Sequence, residues 1–430
     1  MKIIIIGAGP GGYETAVEAA KRGIETVIVS DGPLGGTCLN EGCIPTKVFC
    51  SAAEEHPSED VCAAVRQRKD DAVAQLQNGI ASLLKNKLIT LVFGKASFKD
   101  AHTVTVDGND YSGDAVIIAT GSVSSSLPIP GAELAVTSRE MLELTSRPSR
   151  LCVIGGGVIG LEFASIYNSF GSEVTVLEYA PGILPRFDVD LAKRLKASLS
   201  KKGISIETSA QVRGIARCDE GFEITYMKKG NEASVKADLV LMAVGRRPNV
   251  ESLNLTDIGV EFDRRGIKVD ENMETSVPGV YAVGDVRGGV MLAHVATFEG
   301  LRALNHICSQ EDGIDFSIVP SAVFTEPELA TVGMTEEECE DKGIEIKCLK
   351  SFYRANGKAV AMGETDGYCK FIVEASTGRI LGAHIIGAHA SDLVHEAAML
   401  VSLGVTVSRA KDIIHAHPSL SEVLLSALRQ

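Results

Sequence analysis

The 430-residue sequence has no cluster of lysine and arginine residues and no apolar run long enough to span a membrane. Its 42 basic and 56 acidic residues give a net charge of −14 at pH 7. We therefore expect neither a nucleic-acid partner nor a membrane, because nucleic acids and anionic membranes both select basic surfaces. The length suffices for about three domains with well-filled cores.

The sequence also lacks the cysteine patterns of secreted and zinc-binding proteins. Its ten cysteines are scattered, and apart from Cys38 and Cys43 none shows zinc-ligand spacing, so we expect no metal site. The short apolar run 3–6 passes directly into glycines instead of a cleavage site, which indicates a buried strand and not a signal peptide. These absences favour a reducing compartment and a cytoplasmic location.

Two segments show the strand, glycine turn and helix of a dinucleotide-binding unit. The first has a strand at 3–6 and a helix to about Arg22, and the second a strand at 151–154 and a helix to about Phe170. Two such units predict an α/β fold with two Rossmann-like domains whose cofactors face each other, as hydride transfer from nicotinamide to flavin requires. The predicted cofactor-binding glycines are Gly7, Gly9 and Gly12 in the first unit, and Gly155, Gly157 and Gly160 in the second.

The side chain after the second strand of each unit is expected to hydrogen-bond the ribose of the bound dinucleotide. In the second unit Glu178 stands there, and a carboxylate accepts hydrogen bonds from the ribose while repelling a 2′-phosphate. No arginine follows before Arg186, so the predicted coenzyme is NAD and not NADP. In the first unit Ser30 takes the place and Asp31 follows, so either Asp31 binds the ribose or that hydrogen bond is weaker.

The segment 35–47 has the features of a redox-active thiol pair. Cys38 and Cys43 are five positions apart after a glycine pair, a spacing that can close a small disulfide ring without long-range folding. Lys47 lies one helical turn beyond Cys43 and on the same face, and a nearby positive charge lowers the pKa of a thiol. We therefore predict a functional pair here and not two buried structural thiols.

In these motifs, and over nearly its whole length, the chain resembles the pyridine nucleotide-disulfide oxidoreductases, most of all their dihydrolipoamide dehydrogenase branch. The resemblance implies FAD and NAD as cofactors. It also implies oxidation of protein-bound dihydrolipoamide through a redox-active disulfide, with reduction of NAD⁺. The implied partners are a second copy of the chain, in a homodimer with shared active sites, and a lipoyl-bearing carrier protein of a 2-oxoacid dehydrogenase or glycine cleavage system.

The same resemblance assigns roles to individual residues. Cys43 is the thiol beside the flavin, and Cys38 is the interchange thiol that reacts with the substrate sulfur. Lys47 lies beside the flavin N5 and pairs with Glu162, for which an exposed helical glutamate is the alternative. The remaining predicted cofactor contacts are Thr120, Gly121, Asp285 and the helix start at Ala293 for FAD, and Gly245 for NAD, at the point where the chain returns from the NAD domain.

After Pro320 the sequence alternates strands and helices without a glycine turn, and resembles the interface domain of the family. We expect an FAD-binding domain at 1–146 and 248–315, an NAD-binding domain at 147–247, and an α+β interface and dimerisation domain at 316–430. His417 is predicted to transfer protons during thiol exchange, with Glu422 orienting its imidazole, whereas His415 is expected to be a surface group. By resemblance His417 serves the active site of the other subunit.

Two alternative functions are weighed against this prediction. Another disulfide reductase of the family, glutathione- or mercuric-reductase-like, would show arginines for NADP or an additional C-terminal cysteine pair, and neither is present. A redox-silent flavin-binding scaffold would have no reason to retain the cysteine pair together with Lys47, His417 and Glu422. The segment 51–86 is predicted to be a polar helix that lines the approach to the cysteine pair.

Overall fold

The computed structural model describes residues 1–57 and 60–430. Its first sheet consists of five parallel strands. Ile3, Ile4 and Ile5 of the central strand are fully buried, because a strand inside a parallel sheet is covered on both faces. Across the sheet the strands follow the order Val280–Ala282, Ala115–Ile118, Lys2–Ile6, Glu25–Ser30 and Ile89–Phe93.

The two faces of this sheet are covered differently. Ile3 and Ile5 pack with Ala16 on the helical side, whereas Ile4 and Ile6 pack beneath a small antiparallel sheet. The strands of that small sheet are Ala96–Asp100, Thr103–Val106 and Asn109–Ser112. The helices of this region are Pro10–Lys21, Gly36–Asn40, Cys43–Glu54, Cys62–Leu83 and Ala293–Ile307.

The second sheet repeats the design with four parallel strands. Its strand order is Ser205–Glu207, Glu173–Leu177, Arg150–Ile154 and Leu239–Met242. The helix Val158–Ser169 follows the glycine turn after Arg150–Ile154, and a second helix spans Val189–Lys201. A three-stranded antiparallel sheet completes the unit with Ala210–Cys218, Gly221–Lys228 and Asn231–Ala237.

Short elements connect the two parallel sheets. Ser122–Ser124, which leaves the first unit, pairs antiparallel with Arg246–Pro248, which returns from the second. The chain therefore crosses between the units twice at one place, next to the predicted crossing residue Gly245. The other short elements are the strands Phe262–Asp263 and Gly266–Ile267, the helix Ser138–Met141 and the 3₁₀ turns Ala132–Leu134 and Gly284–Arg287.

The third region is built on an antiparallel sheet of five strands. Their order is Ser321–Val323, Leu329–Gly333, Ile380–Ile386, Tyr368–Glu374 and Ile346–Phe352. Its helices are Glu336–Asp341, the 3₁₀ turn Tyr353–Ala355, Gly357–Met362, Ala390–Ser402, Val407–Ala410 and Glu422–Leu428. The predicted fold class is confirmed: two Rossmann-like units and an α+β region. The domain boundaries remain predictions, and each of the three large sheets keeps within its predicted region.

The polar helix predicted over 51–86 was wrong in its extent. The structure has two helices, Cys43–Glu54 and Cys62–Leu83, and residues 58–59 between them lie outside the described residues. Pro57 accounts for the interruption, because a proline disfavours helical backbone in the residue before it, and His56 has a φ of +46°. Within the described ranges, every helix is too short or too polar to cross a bilayer.

A buried ionic cluster joins the second unit to the third region. Lys370, on the C-terminal sheet, is fully buried, with its Nζ 2.6 Å from Asp188 Oδ2 and 2.5 Å from Glu336 Oε1. The other carboxylate oxygen of Asp188 accepts the Leu191 N–H at 3.1 Å and caps the helix Val189–Lys201. Because a buried charge is costly unless it is paired, this cluster fixes that helix against the C-terminal sheet.

Replacing Lys370 with methionine should therefore lower the free energy of unfolding by about 3 kcal/mol, since it leaves two carboxylates facing each other without a cation. A urea titration followed by circular dichroism measures the change. Lys347→Met, at an exposed position of the neighbouring strand, is the control and should change stability by less than about 0.5 kcal/mol. Equal stability of the two variants would show that the cluster does not hold the regions together.

Candidate active site

The first glycine turn leaves room for a phosphate at the start of the helix Pro10–Lys21. Gly7 has a φ of +115°, and a side chain there would overlap the Ala119 carbonyl, while one at Gly12 would overlap the Gly7 carbonyl. At Gly9 an added Cβ would have no neighbour nearer than 3.9 Å. The outer two glycines are therefore required by packing, and the middle one faces open space at a helix N-terminus, where an anion is favoured.

The second turn has the same arrangement. Gly155 also has a φ of +115°, with Ala243 behind it, and a side chain at Gly160 would overlap the Gly155 carbonyl. At Gly157 nothing lies within 4 Å of an added Cβ. Both turns thus have the backbone cradle that a dinucleotide pyrophosphate requires, and the residues present fit two such cofactors.

Both turns open into one cleft of about 3490 Å³. This is several times the ~300–1,000 Å³ of a typical small-molecule site, and it suits two dinucleotides lying end to end. Every residue predicted to bind FAD or NAD lines the cleft except Gly12 and Gly160, which pack beneath the turns. Cys38 and Cys43 line the same cleft.

The acidic side chains at the two cofactor positions are held by neighbouring groups. Glu178 accepts the N–H of Gly156 and the N–H of Ala180, each at 2.6 Å, which fixes its carboxylate beside the second turn. In the first unit Ser30 is buried and donates to the Gly32 carbonyl at 2.8 Å, while Asp31 is exposed, and both residues line the cleft. The Ser30 hydroxyl is thus engaged by the backbone, and the ribose contact of Asp31 stays a prediction.

Asp285 is positioned by two residues that the sequence prediction missed. Its Oδ2 accepts a hydrogen bond from Ser122 Oγ at 2.5 Å. Arg246 donates to the hydroxyl and to the carbonyl of Ser122, both at 2.7 Å. The crossing strands therefore hold the carboxylate that is predicted to bind the flavin side of FAD. No local motif marks Ser122 or Arg246, and only the pairing of the crossing strands brings them together.

The two cysteines are thiols in hydrogen-bonding contact at a junction of helices. Cys38 lies in the helix Gly36–Asn40 and Cys43 is the first residue of Cys43–Glu54. The hydrogen bond from Cys38 lowers the pKa of Cys43 to about 7, burial opposes this, and Lys47 lowers it further. The same contact, together with burial, raises the pKa of Cys38. Of the two, Cys43 is therefore the thiol that ionises first.

The short helix that carries Cys38 is held by its last residue, Asn40. Its Nδ2 donates to the carbonyls of Leu34, at 3.0 Å, and Gly36, at 2.8 Å. Its Oδ1 accepts from Gln77 at 2.5 Å, so the helix Cys62–Leu83 also supports the cysteine pair. Sequence reasoning placed this helix near the site without identifying the contact.

Lys47 and Glu162 form the ion pair that the resemblance implied. Lys47 Nζ lies 2.9 and 3.1 Å from the two carboxylate oxygens, and Glu162 is only 3% exposed, so it is not a solvated helical glutamate. The Glu162 carboxylate also accepts the Phe324 N–H at 3.0 Å, and Lys47 Nζ lies 4.2 Å from the centre of the Phe324 ring. Burial acts to lower the pKa of Lys47, but Glu162 together with the thiols of Cys50 and Cys43 outweighs it and the pKa is raised, so the lysine is a cation next to Cys43.

His417 and Glu422 are together, but away from the cysteines of their own chain. His417 Nδ1 lies 3.0 Å from Glu422 Oε1, which leaves Nε2 available. The Ser419 N–H donates to Glu422 at 2.9 Å and, followed by His417, lowers the pKa of that carboxyl. The His417 side chain is 78% exposed and does not line the cleft that contains Cys38 and Cys43.

The expectation for His415 was wrong. Its side chain is only 6% exposed, with Nε2 2.7 Å from Glu396 Oε1 and Nδ1 3.0 Å from the Ile413 carbonyl. Proximity to the C-terminus suggested an exposed residue, but the helix Ala390–Ser402 covers this side of the segment and supplies the carboxylate. His415 therefore anchors the segment that leads to His417.

Comparisons with known proteins agree with this arrangement. The family model described as pyridine nucleotide-disulphide oxidoreductase matches residues 1–300, and the model of that family's dimerisation domain matches residues 319–428. Dihydrolipoyl dehydrogenases from Geobacillus stearothermophilus and Bacillus subtilis are each 39% identical to the chain, cover 99% of it, and are themselves covered to 94% and 95%. The HOCl-induced flavoprotein disulfide reductase RclA from Escherichia coli superposes with a TM-score of 0.92 at 31% identity, over 100% of this chain and 99% of that one.

The chain therefore belongs to the pyridine nucleotide-disulfide oxidoreductase family. It is an oxidoreductase with FAD and NAD as cofactors, which confirms the predicted cofactor pair. The match to the dimerisation domain indicates a homodimer. The roles of the individual site residues remain predictions, and the contacts above show which of these residues the fold brings together.

Replacing Lys47 with methionine should raise the pKa of Cys43 from about 7 by about one unit, because the cation is lost while the Glu162 carboxylate stays. Lys47→Arg keeps the charge and should leave the pKa nearly unchanged. The measurement is the pH dependence of iodoacetamide modification of the reduced protein, read at the peptide that contains both cysteines. An unchanged midpoint in Lys47→Met would contradict the electrostatic role of Lys47.

Proposed function

We propose that this enzyme oxidises protein-bound dihydrolipoamide with NAD⁺, as a dihydrolipoyl dehydrogenase. The observation that carries the proposal is the Cys38–Cys43 thiol pair in the cleft between two dinucleotide turns, with an ionisable Cys43 beside the Lys47 cation. The names of the full-length relatives support the same substrate. The inferred partner is a lipoyl-bearing carrier protein of a 2-oxoacid dehydrogenase or glycine cleavage system, and the cytoplasm is the inferred location because the chemistry depends on free thiols.

In the proposed reaction the Cys38–Cys43 disulfide accepts two electrons from the substrate dithiol. One substrate thiol gives its proton to His417 and attacks the Cys38 sulfur, forming a mixed disulfide and releasing Cys43 as a thiolate. The second substrate thiol then attacks the first sulfur, releases Cys38 and closes the oxidised lipoyl ring. His417 gives its proton to the departing Cys38 sulfur and takes the proton of the second substrate thiol, so that the reduced pair consists of a Cys38 thiol and a Cys43 thiolate beside a protonated His417. FAD, held by the glycine turn at Gly9 and by Asp285, would supply the two-electron chemistry that connects the reduced cysteine pair to NAD⁺.

The residues around the cysteine pair and His417 have roles that support this reaction. Lys47 stabilises the Cys43 thiolate, and Glu162 fixes the lysine in place. Glu422 accepts from His417 Nδ1, which holds the imidazole so that Nε2 faces the substrate sulfur. Asp285 and the turn at Gly9 would bind FAD, and Glu178 and the turn at Gly157 would bind NAD.

His417 is proposed to serve the cleft of the second subunit. It is exposed and lies outside the cleft of its own chain. The C-terminal region also exposes large apolar side chains, with Met399 at 64%, Leu403 at 74% and Ile414 at 95%. Such a surface favours burial against another copy of the chain. In an isologous dimer each chain would then present its His417 to the cleft of the other chain.

A second candidate is NADH-driven reduction of a disulfide, favoured by the end-to-end superposition on the flavoprotein disulfide reductase RclA. The two candidates are tested with one set of assays. We expect turnover of NAD⁺ with dihydrolipoamide to exceed turnover of NADPH with glutathione disulfide, and NADP⁺ to be at least about thirtyfold poorer than NAD⁺ because Glu178 repels a 2′-phosphate. Fast reduction of other disulfides by NADH, with slow oxidation of dihydrolipoamide, would favour the second candidate.

Complementation tests whether the active site is shared. Cys43→Ser removes the redox pair, and His417→Gln removes the proton-transfer group, which should cost about 10²- to 10⁴-fold in turnover. When the two inactive variants are unfolded and refolded together, half of the dimers are mixed, and each has one intact site. Lipoamide turnover should then return to about a quarter of the wild-type value.

The control is wild-type enzyme taken through the same refolding. If the mixture stays as inactive as its parents while the control recovers, His417 acts on its own chain or has no role in turnover. Separate refolding of each variant shows whether either regains activity alone.

A further inference from the structure

One ion pair in the cleft contains no residue of the predicted site, but one of its two side chains lies between Cys38 and Cys43 in the sequence. Glu41 lies between Cys38 and Cys43, at the end of the helix Gly36–Asn40, and its N–H donates to the Thr37 carbonyl at 2.9 Å. Its Oε1 lies 3.1 Å from Arg139 Nη1. Glu41 and Arg139 both line the cleft that contains the cysteines.

Arg139 belongs to a segment that is anchored to the second unit. It lies in the short helix Ser138–Met141, where Met141 is fully buried and its carbonyl accepts a 2.7 Å hydrogen bond from Tyr167 of the second unit. Just before this helix, Val136 pairs with the edge strand of the second sheet. The ion pair between Glu41 and Arg139 therefore links the segment 38–43, which contains both cysteines, to the second unit.

We propose that Glu41 and Arg139 together modulate the reactivity and the reduction potential of the Cys38–Cys43 pair, in addition to the larger effects of Lys47 and Glu162. The carboxylate two residues from Cys43 disfavours its thiolate, and the guanidinium neutralises that carboxylate. Because the reduced pair contains the thiolate, an unbalanced carboxylate makes the disulfide harder to reduce, and an unbalanced guanidinium makes it easier. The inference rests on the proposed redox role of the two cysteines.

Other groups also act on these thiols and stay constant in the test. Cys43 faces Cys38, Lys47 and Glu162, and Cys38 lies near Tyr13. The Glu41 and Arg139 side chains are 34% and 67% exposed, so water and salt screen their charges. We therefore expect each single neutralisation to shift the apparent pKa of the cysteine pair by about half a unit.

The experiment compares Glu41→Gln, Arg139→Gln, the double variant and the charge-preserving Arg139→Lys. Each reduced holoenzyme is treated with iodoacetamide across a pH series, and modification is read by mass spectrometry at the peptide that contains both cysteines. Below the midpoint, Arg139→Gln should react about threefold more slowly and Glu41→Gln about threefold faster. The double variant and Arg139→Lys should resemble the wild type. Equilibration in dithiothreitol redox buffers should give a more negative midpoint potential for Arg139→Gln and a less negative one for Glu41→Gln.

Opposite shifts in the two single variants support the proposal. If the apparent pKa of the cysteines moves in the same direction in both single variants, the Glu41–Arg139 pair only holds the segment 38–43 in place. If the pKa does not move, the ion pair has no influence on the thiols. Either result overturns the inference. Thermal unfolding of each variant verifies that the fold is kept. Failure of the redox assignment is separately visible, because Cys43→Ser would then retain lipoamide turnover.

Discussion

The ion pair between Lys47 and Glu162 is the contact on which the arrangement of the cleft depends. Lys47 comes from the helix that begins at Cys43, Glu162 from the first helix of the second unit, and Phe324 from the C-terminal region. All three regions of the chain thus meet at one buried carboxylate. Because an unpaired carboxylate at 3% exposure would be costly, the pairing also fixes how the regions sit against one another.

The same pair connects packing with chemistry. Glu162 holds the Lys47 cation in place beside Cys43, and Lys47 lowers the pKa of that thiol. A solvated lysine would lose part of its effect to water. The same contact therefore joins the units of the fold and favours ionisation of Cys43.

Local sequence signals predicted most of the architecture. The β-branched run 3–6 and the glycine turn after it sufficed for the first unit, because backbone conformation and close packing restrict those positions to glycine. The same reasoning located the second unit, and His417 with Glu422 lay close enough in sequence to be paired in advance. These features are local, and their physical requirements can be read from a few consecutive residues.

Contacts between distant residues could not be predicted in this way. Ser122 and Arg246 are brought together by two crossing strands, and Gln77 reaches Asn40 from a separate helix. Neither contact has a spacing or a motif, since polar side chains of this kind occur on any surface. The burial of His415 was missed for the same reason, and the Lys47–Glu162 pair was anticipated only through family resemblance.

The dyad of His417 and Glu422 has a consequence for how such enzymes assemble. Its orienting contacts, from Glu422 and the Ser419 N–H, all lie within one short C-terminal segment, so the dyad is complete before a partner arrives. In the proposed dimer each chain contributes a preformed His417–Glu422 dyad to the active site of its partner, and the interface is not needed to orient the dyad. A related chain with a compatible interface but a different cleft would receive the same dyad from its partner. In a mixed dimer of two such enzymes, both active sites would therefore have a complete dyad.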